Sequence, residues 1–361
     1  MKPLSELDRN MAIPAFEHPE EIAWYNPKEA PFLLHGLYLP QSDGAYRRLP
    51  DDVARATNEG VADLSYNTAG GRVRFRTDSP YIAISARVNG YFPDHMPLTN
   101  TRGFDVYVRK NGMETYAATL RPSVTESEYF AWKKIPSDSA YDVTVNFPCY
   151  GGVEELKIGL KSGSLLEKPQ PYAHTKPVVC YGSSITQGGC ASRSGMTYES
   201  ILSRMFDCDY INLGFSGNAR GEPAIAQYMA GLDMSAFVCD YDHNAPNPEH
   251  LRRTHLPLYR TIRAAQPDLP ILLVTRPDVY CSDADDTARR RQVVWDTYQT
   301  ALAEGDAHVA FLDGARLFDG FLAEDCTVDG CHPTDLGFYR MAQNIAKALA
   351  ELLHWNPLGG E

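Results

Sequence analysis

A serine, a histidine and an aspartate in this chain stand in settings that suit acyl transfer. The serine falls in Val178-Val179-Cys180-Tyr181-Gly182-Ser183-Ser184-Ile185-Thr186-Gln187-Gly188, an apolar run that breaks off into a polar loop. The acid and the imidazole come far downstream, in Asp329-Gly330-Cys331-His332-Pro333. A serine hydroxyl is a weak nucleophile near neutral pH and must lose its proton as it attacks. A histidine can take that proton, and a carboxylate can hold the imidazole in the right tautomer. Two residues between Asp329 and His332 let a turn bring the carboxylate under Nδ1, leaving Nε2 for Ser184.

Two elements between these motifs could hold the negative oxygen that such chemistry creates. Tyr210-Ile211-Asn212-Leu213-Gly214-Phe215-Ser216-Gly217-Asn218 reads as a strand ending in a glycine turn. Ala236-Phe237-Val238-Cys239-Asp240-Tyr241-Asp242-His243-Asn244-Ala245-Pro246 is a second apolar run with a polar end. The backbone N–H groups of Ser184 and Gly217 and the amide of Asn244 would supply three donors to an oxyanion. Each element alone has a plainer reading: a βα turn, a surface Asp-His pair, a turn glycine, a loop cap before Pro246. Their order and shared placement after apolar runs favour one joint site.

Taken in this order, the blocks resemble those of the SGNH (GDSL-type) hydrolases. The resemblance covers about residues 175–355 and implies Ser184, Gly217, Asn244 and His332 as the named residues, with Asp329 completing a triad. Two departures stand out. The family's aspartate before the serine is Ser183 here, and its Gly-x-Asn-Asp block reads Asp242-His243-Asn244-Ala245. The resemblance implies a serine esterase for short acyl groups, acetyl on carbohydrate foremost. A lysophospholipase or thioesterase on the same triad is the alternative, as is a catalytically silent carbohydrate-binding protein.

These residues need a scaffold. After residue 175, apolar runs alternate with helical stripes such as Tyr198, Ile201, Leu202 and Met205, or Phe338, Met341, Ile345 and Leu349. Ile271–Thr275 suits a central parallel strand. The pattern predicts a doubly wound, flavodoxin-like α/β sheet with its site at the carboxyl ends of the strands. Before residue 165 the pattern changes. Arg72–Thr77, Tyr81–Val88, Phe104–Arg109, Tyr141–Phe147 and Val153–Leu160 read as short strands, with Lys110-Asn111-Gly112 as a hairpin turn. That predicts a jelly-roll-like β-sandwich with almost no helix over 1–165, a linker over 166–174, and the hydrolase domain over 175–361. His35-Gly36-Leu37-Tyr38 resembles part of the signature of a sandwich module found ahead of some SGNH domains, without its aspartate.

Composition narrows the partners. The 34 basic and 46 acidic residues give a net charge of −12, which argues against nucleic acid and anionic membranes. No apolar run reaches the length of a membrane span, and Met1–Asp8 lacks a signal-type apolar core, so the expectation is cytoplasmic. The partner expected is a small or oligosaccharide ester; a homo-oligomer is compatible with all of this. No cofactor is expected. The 8 cysteines form no Cys-x-x-Cys pair and read as reduced, mostly buried thiols. Cys331 lacks a base of its own in the sequence. Asp240, Asp242 and His243 have metal-ligand chemistry, but alternate residues after a strand diverge, so no metal is expected there. Arg276 suits an ion pair or the pocket's border. The aromatic loop Asn89–Met96, with Tyr129 and Trp132, suits interdomain packing or a wall beside the site.

Overall fold

The computed structural model describes residues 4–8, 16, 21–38, 44–90, 93–110, 112–123, 126–136, 138–277 and 283–358. Among these, the first part of the chain contributes strands β1 (Ile22–Tyr25), β2 (Leu33–His35), β3 (Arg72–Thr77), β4 (Tyr81–Asn89), β5 (Phe104–Lys110), β6 (Met113–Leu120), β7 (Glu128–Lys134), β8 (Tyr141–Asn146), β9 (Gly152–Lys161) and β10 (Leu166–Glu167). They form two antiparallel sheets, ordered β1-β9-β4-β7 and β10-β3-β8-β5-β6, with β2 also paired to β3. Val73, Phe75, Ile82, Ile84, Val106, Val143, Val145, Ile158 and Leu160 fill the space between them. Alternation in the strands aims these residues inward.

The second part forms β11 (His174–Gly182), β12 (Cys208–Gly214), β13 (Ala236–Asp240), β14 (Ile271–Val274) and β15 (Val309–Leu312). The sheet is parallel throughout, in the order β12-β11-β13-β14-β15. Apolar residues alternate between its two faces. Val179, Tyr181, Phe237, Cys239, Ile271 and Leu273 pack on one side with helices Pro223–Ala230, Pro248–Ala265 and Ala284–Ala303. Val178, Cys180, Val238, Leu272 and Val274 pack on the other with Tyr198–Phe206 and Asp335–Leu353. This is the doubly wound arrangement, in which strands covered on both faces become continuous apolar runs. The 271–274 run is buried throughout, though β14 lies one strand in from the edge rather than at the centre.

One expectation needs correction. The first part is not nearly helix-free: Asp51–Thr57 and Glu59–Leu64 form two short helices hinged at Asn58, whose Oδ1 accepts the Val61 N–H at 2.8 Å. They are too short and too polar for a helical stripe to show in the text. Their Ala54 and Val61, with Leu49, enter the α/β core beside Phe215 and Ile225, so the halves share one apolar interior. The 166–174 segment between the two parts is itself tied down. Leu166–Glu167 pairs with β3, and His174 already pairs with Cys208.

Gly36 has φ +71°, and a Cβ there would stand 2.2 Å from the Gly70 carbonyl oxygen. Only glycine tolerates both conditions, which accounts for the residue in the His-Gly-Leu-Tyr segment.

Buried charge joins the halves. Arg72 lies against Tyr210 and pairs with Asp209, which His35 Nδ1 also meets at 2.8 Å. Arg193 pairs with Asp105 at 2.8 Å. The guanidinium of Arg48, wholly enclosed, donates to the carbonyls of Leu64 and Asn67 in its own half. It also donates to those of Asn212 and Gly214 at the end of β12, at 3.3 and 2.5 Å. Its plane covers the Phe215 ring. Removing it strands several buried acceptors, each costing about 1–3 kcal/mol. We therefore expect Arg48→Ala to lower the melting temperature by at least several degrees, and a thermal scan of the variant checks it.

Candidate active site

β11 ends at Gly182, and Ser183 caps the single helical turn Ser184–Gln187 by accepting the Ile185 N–H at 3.1 Å. The hydroxyl at the position where the family has an aspartate thus acts as a helix cap. Gly188, at φ +100°, closes the turn. The turn presses on the end of β12: a Cβ on Gly214 would lie 2.2 Å from the Gln187 nitrogen. Gly182 is equally constrained, since a Cβ would overlap Asp240 Oδ1.

His332 and Asp329 come from the loop before the last helix. An isolated bridge between Thr327 and Pro333 narrows that loop, and Gly330 takes φ +83°. His332 Nε2 lies 2.8 Å from Ser184 Oγ, and His332 Nδ1 lies 2.7 Å from Asp329 Oδ2. Asp329 Oδ1 accepts the backbone N–H of His332 at 2.7 Å and of Cys331 at 3.0 Å. Partial burial pushes the Asp329 carboxyl up, but these hydrogen bonds outweigh it and hold the group at about 2. The acid is therefore ionised at neutral pH. Ser184 itself is buried, 6% exposed, so approach to it is narrow.

Beside the serine, Gly217 has φ +69° with open space on the side where a Cβ would stand. The turn carrying it is held from two directions. Gln187 Oε1 accepts the Ser216 N–H at 2.9 Å, and Asn244 Nδ2 donates to the Phe215 carbonyl at 2.8 Å. That bond uses one amide hydrogen of Asn244 and leaves its second for a ligand. The structure thus joins Ser184, His332 and Asp329 directly, and ties the Ser216–Gly217 turn to Gln187 of the serine turn and, through Phe215, to Asn244.

The Asp240, Asp242 and His243 side chains diverge. Asp240 accepts from Thr186 Oγ1 and Tyr198 Oη, Asp242 accepts the Arg276 N–H, and His243 Nε2 lies 3.2 Å from Cys331 Sγ. The last contact gives Cys331, which has no base of its own in the sequence, an imidazole other than its neighbour His332 within reach. Burial holds His243 down at about 4. Arg276 pairs with Asp286 at 3.6 Å and bonds Thr287. Tyr129 is buried and donates to the Arg102 carbonyl, while Trp132 packs edge-on to Phe16, away from the serine. Of the Asn89–Met96 loop, Tyr91 and Phe92 lie outside the described residues, but His95 stands beside the site, its ring centroid 5.8 Å from that of His332.

Sequence reasoning missed the supporting residues. Gln187 Nε2 donates to Asn67 Oδ1 at 3.0 Å, Asn100 Nδ2 to the Gly188 carbonyl at 2.9 Å, and Tyr150 Oη to the Ser184 carbonyl at 3.3 Å. Gln187 sat inside the serine motif as a visible hint. Asn67, Asn100 and Tyr150 come from the sandwich half, and nothing in their local text points to the serine.

Comparisons with known proteins identify both parts of the chain. Residues 175–350 match the GDSL-like lipase/acylhydrolase family. They belong to it. Residues 22–166 match the GxDLY domain, the N-terminus of SGNH-hydrolase-type esterases. The protein is thus an SGNH (GDSL-type) hydrolase behind an N-terminal sandwich, an enzyme of the esterase class. A protein described as a GDSL-like lipase from Bacteroides ovatus ATCC 8483 shares 26% identity and a TM-score of 0.84, over 93% of this chain and 99% of its own. The salicylyl-acyltransferase SsfX3 of a tetracycline biosynthetic pathway shares 22% identity and a TM-score of 0.76, over 92% and 98%. An acetyl xylan esterase, Est2A, from Butyrivibrio proteoclasticus shares the fold at 12% identity and a TM-score of 0.60, over 92% and 99%. No curated protein sequence matches the chain. Among the described residues, no helix is long and apolar enough to cross a membrane.

The acids behind the serine turn make a further statement about pH. Burial pushes Asp240 up to about 7 and Asp242 to about 6, and raises Glu199 well above the usual carboxylate range. Between about pH 4 and pH 7 the folded chain then holds protons that the unfolded chain has released. The contribution of these acids to stability falls as pH rises through that window, while buried His243 and His255, both held down at about 4, contribute in the opposite sense. We expect Asp240→Asn to remove part of the acids' contribution and so shift the slope of melting temperature against pH toward positive values across the same range; an unchanged slope would contradict the assignment.

Proposed function

We propose that the protein is a serine esterase for short acyl esters, acetyl above all, carried on a carbohydrate. The observation that carries the reading is the unbroken line from Ser184 Oγ through His332 to Asp329, with bonds of 2.8 and 2.7 Å. Ser184 attacks the ester carbonyl while His332 Nε2 takes the hydroxyl proton. Asp329 holds the ring through Nδ1 and stabilises the imidazolium that forms. The N–H groups of Ser184 and Gly217 and the spare amide hydrogen of Asn244 receive the oxyanion, where charge develops in the transition state. His332 then gives its proton to the departing alcohol oxygen. A water repeats the sequence on the acyl-serine and frees the acid.

The preference for short acyl groups draws on the family resemblance. The carbohydrate half of the proposal draws on the family and on neighbours such as the acetyl xylan esterase. No nucleic acid or membrane partner is proposed for a chain of net charge −12.

Ser184→Ala is expected to remove nearly all turnover, at least about a thousandfold, with the melting temperature kept. Asp329→Asn is expected to lower kcat by about two to four orders of magnitude with KM little changed. Across p-nitrophenyl esters, kcat/KM is expected to drop steadily from acetate to octanoate, and acetylated xylo-oligosaccharides should release acetate. A rising chain-length profile would favour a lysophospholipase or thioesterase. Sugar binding without fluorophosphonate labelling of Ser184 would favour a silent binding protein.

A further inference from the structure

His332 has unusual company. One ring nitrogen of His95, the sulfur of Cys190 and one ring nitrogen of His332 all lie within 4.8 Å of one another. His95 arrives from the sandwich half, Cys190 from the loop after the serine turn, and His332 from the loop before the last helix. Among the described residues, His95 Nε2 makes a 3.9 Å approach to Asp329 Oδ2, and the Cys190 thiol a 3.9 Å contact with the His95 carbonyl, with no closer polar partner for either. Cys190 is buried and held at φ +69°, in a loop whose two preceding residues are glycines.

We propose that His95, Cys190 and His332 form a site for a thiophilic divalent cation of the zinc or cadmium type, whose occupancy switches the esterase off. Sulfur with two imidazoles is the donor set such cations favour. Tetrahedral zinc, at its usual bond lengths to nitrogen and sulfur, holds donors about 3.5 Å apart. Closing from 4.8 Å takes small side-chain rotations, and exposed His95 is free to make them. Asp329 Oδ2 or a water supplies a fourth donor. On binding, the Cys190 thiol gives its proton to solvent and both imidazoles coordinate in their neutral form.

The switch rests on the reading of His332 as the general base. Its Nε2 serves Ser184 and its Nδ1 serves Asp329. A cation on either nitrogen therefore breaks one arm of the relay. Metal binding and catalysis exclude each other through the same ring.

The test begins without substrate. Cadmium chloride is titrated into the full chain while the ultraviolet thiolate-to-cadmium charge-transfer band is followed. A saturable band is expected. Cys190→Ser should abolish it, His95→Ala should weaken binding at least about tenfold, and Cys331→Ser should leave it in place. His95 is exposed, so its variant tests the site even if the Cys190 variant folds poorly. In parallel, zinc chloride should inhibit p-nitrophenyl acetate hydrolysis, a chelator should restore it, and His95→Ala should resist. No band, a band that survives Cys190→Ser, one lost in Cys331→Ser, or undiminished affinity in His95→Ala overturns the site. A normal band without inhibition overturns the switch. A chain inert toward every ester still reports the band, so failure of the esterase reading shows separately.

Discussion

The site depends on how closely the serine turn approaches the strand ends on either side of it. Gly214 ends β12 where the backbone of Thr186 and Gln187 passes, and Gly182 ends β11 against the Asp240 carboxyl. Glycine at both ends leaves no Cβ to hold the turn away. The consequence is geometric. Ser184, the Ser216–Gly217 turn and Asn244 come to face one point only because three neighbouring strand ends are packed this tightly. A parallel sheet brings such ends together on one edge, and loops there can carry chemistry without disturbing the core.

Closeness also requires support from outside the α/β half. The Ser216–Gly217 turn is tied through Gln187 to Asn67, and the end of β12 is tied through Arg48 to Leu64 and Asn67. Both ties end in the sandwich half. Asn100 and Tyr150 add two more bonds to the serine turn. The sandwich is therefore part of the scaffold that holds the Ser184 turn and the Ser216–Gly217 turn, in addition to bringing His95 beside His332. Buried hydrogen bonds to a guanidinium are strong and directional, which suits a joint whose geometry matters.

The same fold carries different outcomes. Among the structural relatives are an acyltransferase and an acetyl xylan esterase, at TM-scores of 0.76 and 0.60. The fold alone therefore does not settle acyl group or acceptor, which the surface around the site must decide. In this chain that surface includes His95 and Cys190, which the proton relay does not use.

The chemistry-bearing residues were legible in the linear text because each lies at the end of a strong local pattern. Apolar runs mark β11, β12 and β13, and the residues after them read as Ser184, Gly217 and Asn244. The short Asp-x-x-His spacing marks a turn. Buried parallel strands and amphipathic helices announce themselves through periodicity, so the α/β half was readable throughout. Local pattern could not show contacts made across the chain's two halves. The short helices at 51–64 carry too few turns for a stripe, and their role emerges only where Ala54 and Val61 meet the distant core. Arg48 and Asn67 look like ordinary polar residues until the fold brings them to β12 and Gln187. By itself the sequence determined the order of the elements and marked side chains of suitable chemistry at their ends. Tertiary structure alone decided what surrounds and aims them, because those contacts join residues whose neighbours in the text carry no trace of the meeting.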